Sequence, residues 1–195
     1  MQCWRGMGLW PMSSTVDRKK HVIPLWAADG AGHYTKHESM YFRFLHKLLP
    51  QFEGGSVLEV GPGTGLFAKM MMDRYPITEY TILDLESQIG DSQETLVGYD
   101  CEFVLSQEYK QLFNRPFDLF VSNVCLPETP DYYRAALCDG VFPACQFAFV
   151  IGGDPKSGGA YNQWIRQSFK EQFAVVAEKS TGYCKTFAIS GRGAI

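Results

Sequence analysis

The stretch SVLEVGPGTGLFAKMMMDRYPITEYTILDLE, residues 56–86, decides how this chain folds. Residues 57–60, VLEV, form a mostly apolar run whose β-branched and aliphatic side chains are typical of a buried strand. The turn at residues 61–65, GPGTG, has glycines at alternate positions, which allow positive φ angles and a close approach of a ligand to the backbone. Apolar residues then recur at helical spacing, and residues 80–83 predict a second strand that ends on Asp84. The pattern predicts half of a nucleotide-binding α/β unit.

The spacing of the glycines distinguishes two kinds of nucleotide site. A dinucleotide fold requires G-x-G-x-x-G, so that a pyrophosphate can sit on the helix N-terminus. Here the pattern is G-x-G-x-G, and an acidic residue, Glu59, stands two positions before the first glycine. The turn therefore departs from the dinucleotide pattern.

The glycine pattern resembles motif I of the class I S-adenosylmethionine-dependent methyltransferases, E/D-x-G-x-G-x-G, and the resemblance covers residues 56–135. It implies S-adenosylmethionine as the cofactor and S-adenosylhomocysteine as the product. It also implies that Asp84 binds the two ribose hydroxyls, and that Glu59 orients the loop or the cofactor's amino group through water. A carboxylate suits a cis-diol because it accepts two charge-assisted hydrogen bonds, each worth about 1.5–3 kcal/mol. The cofactor-binding residues expected on this resemblance are Glu59, Gly61, Gly63, Gly65, Asp84, Leu85, Ser106, Ser122 and Asn123.

The end of the fourth predicted strand, within FDLFVSNVCLPE at residues 117–128, bears on the methyl acceptor. It lacks the N-P-P-Y sequence of base- and glutamine-nitrogen methyltransferases and the Pro-Cys pair of cytosine carbon-5 methyltransferases. It resembles instead the S-N-x-x-x-x-E pattern of sugar O-methyltransferases, carried here by Ser122, Asn123 and Glu128. The resemblance implies an acceptor hydroxyl on a sugar or a sugar-like metabolite.

Two positions depart from the pattern of these relatives. The proline that usually stands between Leu85 and Glu86 is missing. Ser106 occupies the tip of the third predicted strand, where many relatives carry an acid against the adenine. A serine hydroxyl can still hydrogen-bond the base, but more weakly than a carboxylate.

Methyl transfer to a hydroxyl needs an aligned nucleophile and a partner for its proton. Ligands of such sheets bind beyond the carboxyl ends of the strands, and a cover before the first strand can reach the same edge. The candidate catalytic residues are Glu128, His33 and His37, and the candidate acceptor-binding residues are Tyr34, Cys125 and Asp154.

Each of these candidates also has a structural interpretation. Glu128 stands near the start of a helix predicted at residues 131–139, where negative charge is favourable. The two histidines are compatible with a solvated surface pair, and no metal site is expected because a third ligand at matching spacing is lacking. Asp154 precedes Pro155 and suits a turn, a metal or a sugar hydroxyl. A nucleophilic role for Cys125 is disfavoured, because valine rather than proline precedes it.

Strands and helices alternate along the chain, which predicts an α/β domain with a parallel sheet. After Asp84 the sequence predicts strands at residues 102–105, 117–121 and 146–151, and helices at residues 108–113, 131–139 and 161–172. Two predicted strands in succession, residues 174–178 and 184–190, indicate a terminal hairpin with one antiparallel strand. The methyltransferase resemblance implies a seven-stranded, mostly parallel sheet with its last strand antiparallel, helices on both faces and a short N-terminal helical lid. We expect residues 1–50 to form a leader and a helical cover. Residues 51–195 would form the S-adenosylmethionine-binding domain, as a single globular unit.

The composition limits the class of protein. The chain has 195 residues and a formal net charge of −3, without the basic stripe that nucleic-acid binders usually show. No apolar run approaches the ~20 residues of a membrane span. The six cysteines include no C-x-x-C pair, which indicates neither a zinc site nor a disulfide framework. We expect a cytoplasmic protein with a small-molecule acceptor and no nucleic-acid or membrane partner; a homodimer stays an open alternative.

Together these features favour an S-adenosylmethionine-dependent O-methyltransferase of a small polar molecule. Two alternatives stay open: an N- or carboxyl-methyltransferase of a small molecule, and a non-catalytic S-adenosylmethionine-binding partner protein. The intact glycines and Asp84 argue against the second, because a decayed enzyme need not keep both.

Overall fold

The glycine turn lies between a strand and a helix, and the alternation of strands and helices continues on both sides of it. The computed structural model describes residues 36–123, 125–126, 129–151, 174–180 and 185–190. In chain order the helices and strands are α1 (Lys36–Leu48), β1 (Gly55–Val60), α2 (Leu66–Arg74), β2 (Ile77–Asp84), α3 (Ile89–Thr95), β3 (Glu102–Leu105), β4 (Phe117–Asn123), α4 (Asp131–Gly140), β5 (Cys145–Ile151), β6 (Ala174–Ser180) and β7 (Lys185–Ser190). Two 3-10 helices, Ser106–Leu112 and Phe142–Ala144, precede β4 and β5.

The strands form one sheet in the order β3-β2-β1-β4-β5-β7-β6. Strands β1 to β5 run parallel to one another, and β7 pairs antiparallel with both β5 and β6. The chain builds outward from β1 to β3 and then returns to the other side of β1 with β4. The strand order therefore reverses between β1 and β4, and open α/β sheets bind ligands in the crevice outside the carboxyl ends at such a point.

Each face of the parallel sheet buries its own set of apolar side chains. On β1, Val57 belongs to one core and Leu58 to the other, as the two-residue period of a strand requires. Helices α1 and α2 cover the first face with Leu45 and Phe67, and α4 covers the second face with Leu137. Burial of a side chain of this size contributes about 1.5–3 kcal/mol. The two helical layers therefore hold the carboxyl ends of β1, β2 and β4 in fixed positions.

The α/β class, with a parallel sheet core and flanking helices, is confirmed. Strand β4 continues two residues beyond the predicted end, so Ser122 and Asn123 belong to the strand rather than to the loop after it. The short helix predicted at residues 108–113 is the 3-10 helix Ser106–Leu112. The helix predicted at residues 161–172 lies outside the described residues, as do residues 1–35 of the predicted cover, so the domain boundary at residue 50 stays a prediction. No helix in the described part of the chain is both long enough and apolar enough to cross a bilayer.

Candidate active site

The glycine turn after β1 approaches two neighbours closely and leaves a third side open. A Cβ atom built on Gly61 would lie 2.3 Å from Sγ of Cys125, and one built on Gly65 would lie 3.1 Å from Cα of Ser92 in α3. Gly63 has a φ angle of 61°, and no atom of the described residues lies within 4 Å of a Cβ built there. The first and third glycines thus let protein segments pack against the turn, whereas no segment of the described ranges packs against the outer side of Gly63.

The acidic tip of β2 lies beside this turn. The Gly61 amide donates a 2.9 Å hydrogen bond to the carbonyl of Leu83, one residue before Asp84. Asp84 is buried, and its Oδ1 accepts a 2.7 Å hydrogen bond from the amide of Leu85. Asp84 pairs in register with Leu105, the last residue of β3, so Ser106 lies directly after the end of that strand. The tips of β1, β2 and β3 therefore meet at one edge of the sheet.

Strand β4 brings Asn123 to the same edge from the other side of β1. Glu59 pairs in register with Val121, which places Asn123 level with the start of the glycine turn. The side-chain amide of Asn123 donates a 3.2 Å hydrogen bond from Nδ2 to Oε1 of Glu59. Oε2 of Glu59 accepts a 2.8 Å hydrogen bond from the hydroxyl of Tyr80. Burial, followed by the charge of Glu59, raises the pKa of Tyr80 well above its ordinary value, which keeps its hydroxyl a donor.

Three buried polar atoms at this edge have no hydrogen-bond partner within the described residues: Oγ1 of Thr64, Oγ of Ser106 and Oδ1 of Asn123. They belong to the glycine turn, to the residue after β3 and to the end of β4. Leaving a buried polar group unpaired costs about 1–3 kcal/mol. Their common location at the carboxyl ends of three strands indicates a polar ligand that pairs with them.

The loop from β4 to α4 is held by its own hydrogen bonds. Oγ of Ser122 accepts a 3.2 Å hydrogen bond from the amide of Leu126, and the hydroxyl of Thr129 donates a 2.8 Å bond to the carbonyl of Leu126. Arg134 donates to the carbonyls of Leu126, at 3.2 Å, and Thr129, and pairs with Asp131. Ser122 therefore supports the loop with its hydroxyl, and its expected contact with a cofactor stays a prediction.

Most residues predicted for catalysis or for the acceptor lie outside the described residues: His33, Tyr34, Glu128 and Asp154. His37 lies in the first turn of α1, and Cys125 lies against the glycine turn. The described residues contain no group of three side chains suited to hold a metal ion. The roles assigned to these residues stay predictions.

Three residues of the site were missed by sequence reasoning: Thr64, Tyr80 and Arg134. Thr64 belongs to the quoted turn, and its polar side chain was the available signal. Glu59 is an acid inside the apolar strand β1, and a buried carboxylate requires buried donors. The sequence therefore indicated that a donor such as Tyr80 must lie nearby. The partner could not be read from the sequence, since it lies 21 residues away.

A cavity of about 340 Å³ lies at the opposite, amino end of β2, lined among others by Met72, Ile77, Glu79 and Tyr99. Ligands of open α/β sheets bind at the carboxyl ends of the strands. This cavity therefore lies at the wrong end of the sheet for the nucleotide site that the turn predicts.

No family model matches the chain. A segment of 82 residues is 29% identical to the malonyl-[acyl-carrier protein] O-methyltransferase of Neorickettsia risticii (strain Illinois). The match covers 42% of this chain, and the chain spans only 32% of the length of that relative.

Among solved structures, the N-methyltransferase NodS from Bradyrhizobium japonicum WM9, in complex with S-adenosyl-L-homocysteine, superposes with a TM-score of 0.63 and 13% sequence identity, covering 79% of this chain and 86% of that chain. Magnesium protoporphyrin IX methyltransferase from Synechocystis PCC 6803, with bound S-adenosyl-L-homocysteine, superposes with a TM-score of 0.59 and 15% identity, covering 80% and 84%. The chain therefore has the fold of the class I S-adenosylmethionine-dependent methyltransferases, as its glycine motif predicted.

Proposed function

We propose that this chain is an S-adenosylmethionine-dependent methyltransferase that acts on a small polar acceptor. The observation that carries this proposal is the group of unpartnered buried polar atoms on Thr64, Ser106 and Asn123, located where the strand order reverses. Support also comes from S-adenosyl-L-homocysteine in two structures of the same fold, and from the methyltransferase that matches part of the chain.

The dimensions of the site suit this cofactor. Neighbouring strands lie about 4.8 Å apart, so the tips of β2 and β4, on either side of β1, are separated by roughly 10 Å. A nucleoside can place its ribose hydroxyls on Asp84 and its base near Ser106, while the amino-acid end extends past Gly63 toward Asn123. When bound, S-adenosylmethionine supplies a methyl group activated by the positively charged sulfur. The accessible backbone of Gly63 is the feature that allows the cofactor to cross the turn.

The protein contributes alignment and the handling of one proton. Holding the acceptor oxygen at near-attack distance from the methyl group can supply several kcal/mol of the barrier. For a hydroxyl acceptor, we assign the removal of the proton to Glu128 or to one of the histidines His33 and His37, with Tyr34, Cys125 and Asp154 near the acceptor. Glu128 stands in the chain between Leu126 and Thr129, and Arg134 donates to the carbonyls of both of these residues.

We favour a hydroxyl of a sugar or a sugar-like metabolite as the acceptor, because the tip of β4 resembles that of sugar O-methyltransferases. A second candidate is oxygen methylation of a malonyl group on a carrier protein, which the name of the matched relative favours. Methylation of nitrogen stays the third alternative, since the structural neighbours include an N-methyltransferase. A partner protein that binds the cofactor without catalysis is the alternative outside the class of enzymes.

The remaining expectations complete this proposal. We propose that β6 and β7 complete the seven-stranded sheet of the cofactor domain and that the part of the predicted cover before α1, residues 1–35, covers its ligand edge. We also propose that the protein works in the cytoplasm without nucleic acid or membrane. A homodimer stays an alternative.

Isothermal titration of the full chain with S-adenosylhomocysteine tests the proposed function. The Asp84→Ala variant should bind about 100-fold or more weakly, because it loses two charge-assisted hydrogen bonds to the ribose. Asp100→Ala removes an exposed acid beside the cavity at the other end of the sheet, and should bind like the wild type. A wild-type chain that does not bind S-adenosylhomocysteine contradicts the proposed function. Binding without methyl transfer to any acceptor in a metabolite panel favours the non-catalytic partner.

A further inference from the structure

We propose that Tyr80 is a positioning residue for the amino-acid end of the cofactor: through Glu59 it holds the side-chain amide of Asn123 with its oxygen turned toward the ligand's ammonium group. This inference rests on the proposed function and extends it to a residue that contacts no ligand. It depends on the hydrogen bonds from Tyr80 to Glu59 and from Asn123 to Glu59, and on the unpartnered oxygen of Asn123.

The first step is the fixed orientation of Glu59. Its side chain is fully buried on the sheet face that α1 and α2 cover, where Val57, Tyr80 and Ile82 also lie. The Tyr80 hydroxyl binds one carboxylate oxygen at 2.8 Å, and the Asn123 amide binds the other at 3.2 Å. Tyr80 is itself 1% exposed, so its ring cannot turn away without disturbing the core. The phenol therefore fixes the plane of the carboxylate.

The second step is the orientation of the amide. An ionised carboxylate only accepts hydrogen bonds, so Asn123 must direct its NH₂ group toward Glu59 and its Oδ1 away from it. Oδ1 is buried and has no partner in the part of the chain that the structure describes. The oxygen therefore presents an acceptor site to a ligand that donates.

The third step is the identity of the donor. Asp84 and Asn123 lie at the tips of two strands separated by β1, roughly 10 Å apart across the sheet. A cofactor with its ribose on Asp84 reaches Asn123 only with its amino-acid end. The ammonium group at that end has three N–H donors and no acceptor, as a lysine ammonium does. The ammonium group can donate a hydrogen bond to Oδ1 of Asn123. It would be repelled by the NH₂ group if the amide were flipped.

The inference separates two ligands that share a nucleoside. S-adenosylhomocysteine carries the amino-acid end, and 5′-methylthioadenosine keeps the adenosine and the thioether but lacks that end. Tyr80→Phe removes one hydroxyl and leaves the ring in the core, so the carboxylate of Glu59 loses a donor and no longer holds the amide of Asn123 in a fixed position. The variant should therefore bind S-adenosylhomocysteine more weakly and bind 5′-methylthioadenosine as the wild type does.

The test is isothermal titration of both ligands against the full-length wild type, Tyr80→Phe and the control Tyr75→Phe. Tyr75 is a half-buried tyrosine whose hydroxyl contacts His46 at 3.3 Å, away from the strand tips. We expect Tyr80→Phe to weaken the binding of S-adenosylhomocysteine about tenfold and the binding of 5′-methylthioadenosine less than about twofold. The difference corresponds to the loss of about one hydrogen bond to a charged group. The control should change neither affinity. Adding Tyr80→Phe to Asn123→Ala should cause no further loss, because coupled residues are not additive.

If Tyr80→Phe weakens the binding of both ligands equally, or of neither ligand, the role of Tyr80 is overturned and the proposed function stays intact. If the wild type binds neither ligand, the proposed function fails and this inference fails with it. If Tyr80→Phe does not fold, as judged by urea unfolding, Glu59→Gln replaces it. Because the glutamine amide no longer specifies the flip of Asn123, the same difference between the two ligands is expected, and its absence overturns the inference.

Discussion

Two glycines of the same turn are constrained for different reasons. Gly61 and Gly63 both have positive φ angles, 69° and 61°. At Gly61 an added Cβ would overlap Cys125, whereas at Gly63 it would meet none of the residues that the structure describes. A non-glycine residue in the left-handed region costs about 1–2 kcal/mol in either case. The overlap is an additional cost at Gly61, and the space outside Gly63 is the part of the turn left for a ligand.

We predict that Gly63→Val lowers the free energy of unfolding by only about 1–2 kcal/mol and prevents binding of S-adenosylhomocysteine. The branched side chain would fill the space over the turn. Gly61→Ala should lower the free energy of unfolding further, because overpacking costs typically 1–3 kcal/mol more. Urea unfolding and ligand titration of both variants measure the two effects. Unchanged ligand affinity in Gly63→Val would show that the cofactor does not cross this residue.

We predict that Glu128→Gln lowers the turnover of a hydroxyl acceptor more than it lowers the affinity for the cofactor. Loss of a general base typically reduces the rate about 10²–10⁴-fold. Glu108→Gln, at an exposed position in the first 3-10 helix, is the control and should leave turnover unchanged. Equal loss of turnover and of cofactor affinity would assign Glu128 a structural role. A carboxylate acceptor has no proton to lose, so full activity of Glu128→Gln would favour methylation of a malonyl group on a carrier protein.

At the scale of elements, local pattern predicted the parallel strands well. Residues 102–105 were expected as a strand and are β3, and the apolar run of β1 lies inside the sheet, between β2 and β4. Such runs identify strands buried on both faces without reference to the rest of the chain. The polar end of β4 was not predicted as strand, because only its pairing with β5 extends the ladder to Asn123.

The candidate site was predictable where a motif carries it and unpredictable where tertiary contacts do. The turn and Asp84 come from one short stretch of sequence. The hydrogen bond between Asn123 and Glu59 joins residues 64 positions apart, and Arg134 reaches back to Leu126 only because α4 packs against the sheet. No local pattern encodes contacts of this kind, since they depend on which strands become neighbours.

Arg134 is the residue of α4 that holds the β4–α4 loop. Its side chain is 13% exposed and donates to the carbonyls of Leu126 and Thr129. We predict that Arg134→Met accelerates amide hydrogen exchange in residues 122–131 while exchange in β1 and β2 stays unchanged. The control is Arg74→Met, in the last turn of α2, which should leave exchange of the loop as in the wild type. Unchanged exchange after Arg134→Met would show that the other hydrogen bonds of the loop suffice.

At the scale of the whole molecule, the reversal of strand order positions the site. In the part of the chain that the structure describes, helices cover both faces of the parallel strands, so polar side chains of these strands meet a ligand at the strand ends. The fold is shared by neighbours named for different acceptors, an N-methyltransferase and a magnesium protoporphyrin IX methyltransferase. The shared fold therefore does not determine the acceptor, since function belongs to sites rather than to folds.

The buried thiols give the whole molecule a predicted dependence on pH. Burial raises the pKa of Cys138 and of Cys145 from 9.0 to about 12. Below about pH 9 both states carry neutral thiols and the full stability is present; between about pH 9 and 12 only the unfolded state ionises, so stability falls as pH rises.

We therefore expect the free energy of unfolding in urea to decrease above about pH 9, by up to roughly 1.4 kcal/mol per pH unit for each thiol. Cys145→Ala should reduce this slope, and lower stability at pH 7 through lost packing. A free energy of unfolding that stays constant or rises between about pH 9 and 11 would contradict the burial of these thiols as neutral groups.

The most direct test of the cofactor site is a crystal structure of the full chain grown with S-adenosylhomocysteine. We expect the nucleoside to lie across the glycine turn, with both ribose hydroxyls about 2.5–3.0 Å from the carboxylate of Asp84 and the ammonium group at Oδ1 of Asn123. A structure in which the ligand lies elsewhere, for example in the cavity at the amino end of β2, or in which its ribose does not contact Asp84, would contradict the proposed cofactor site.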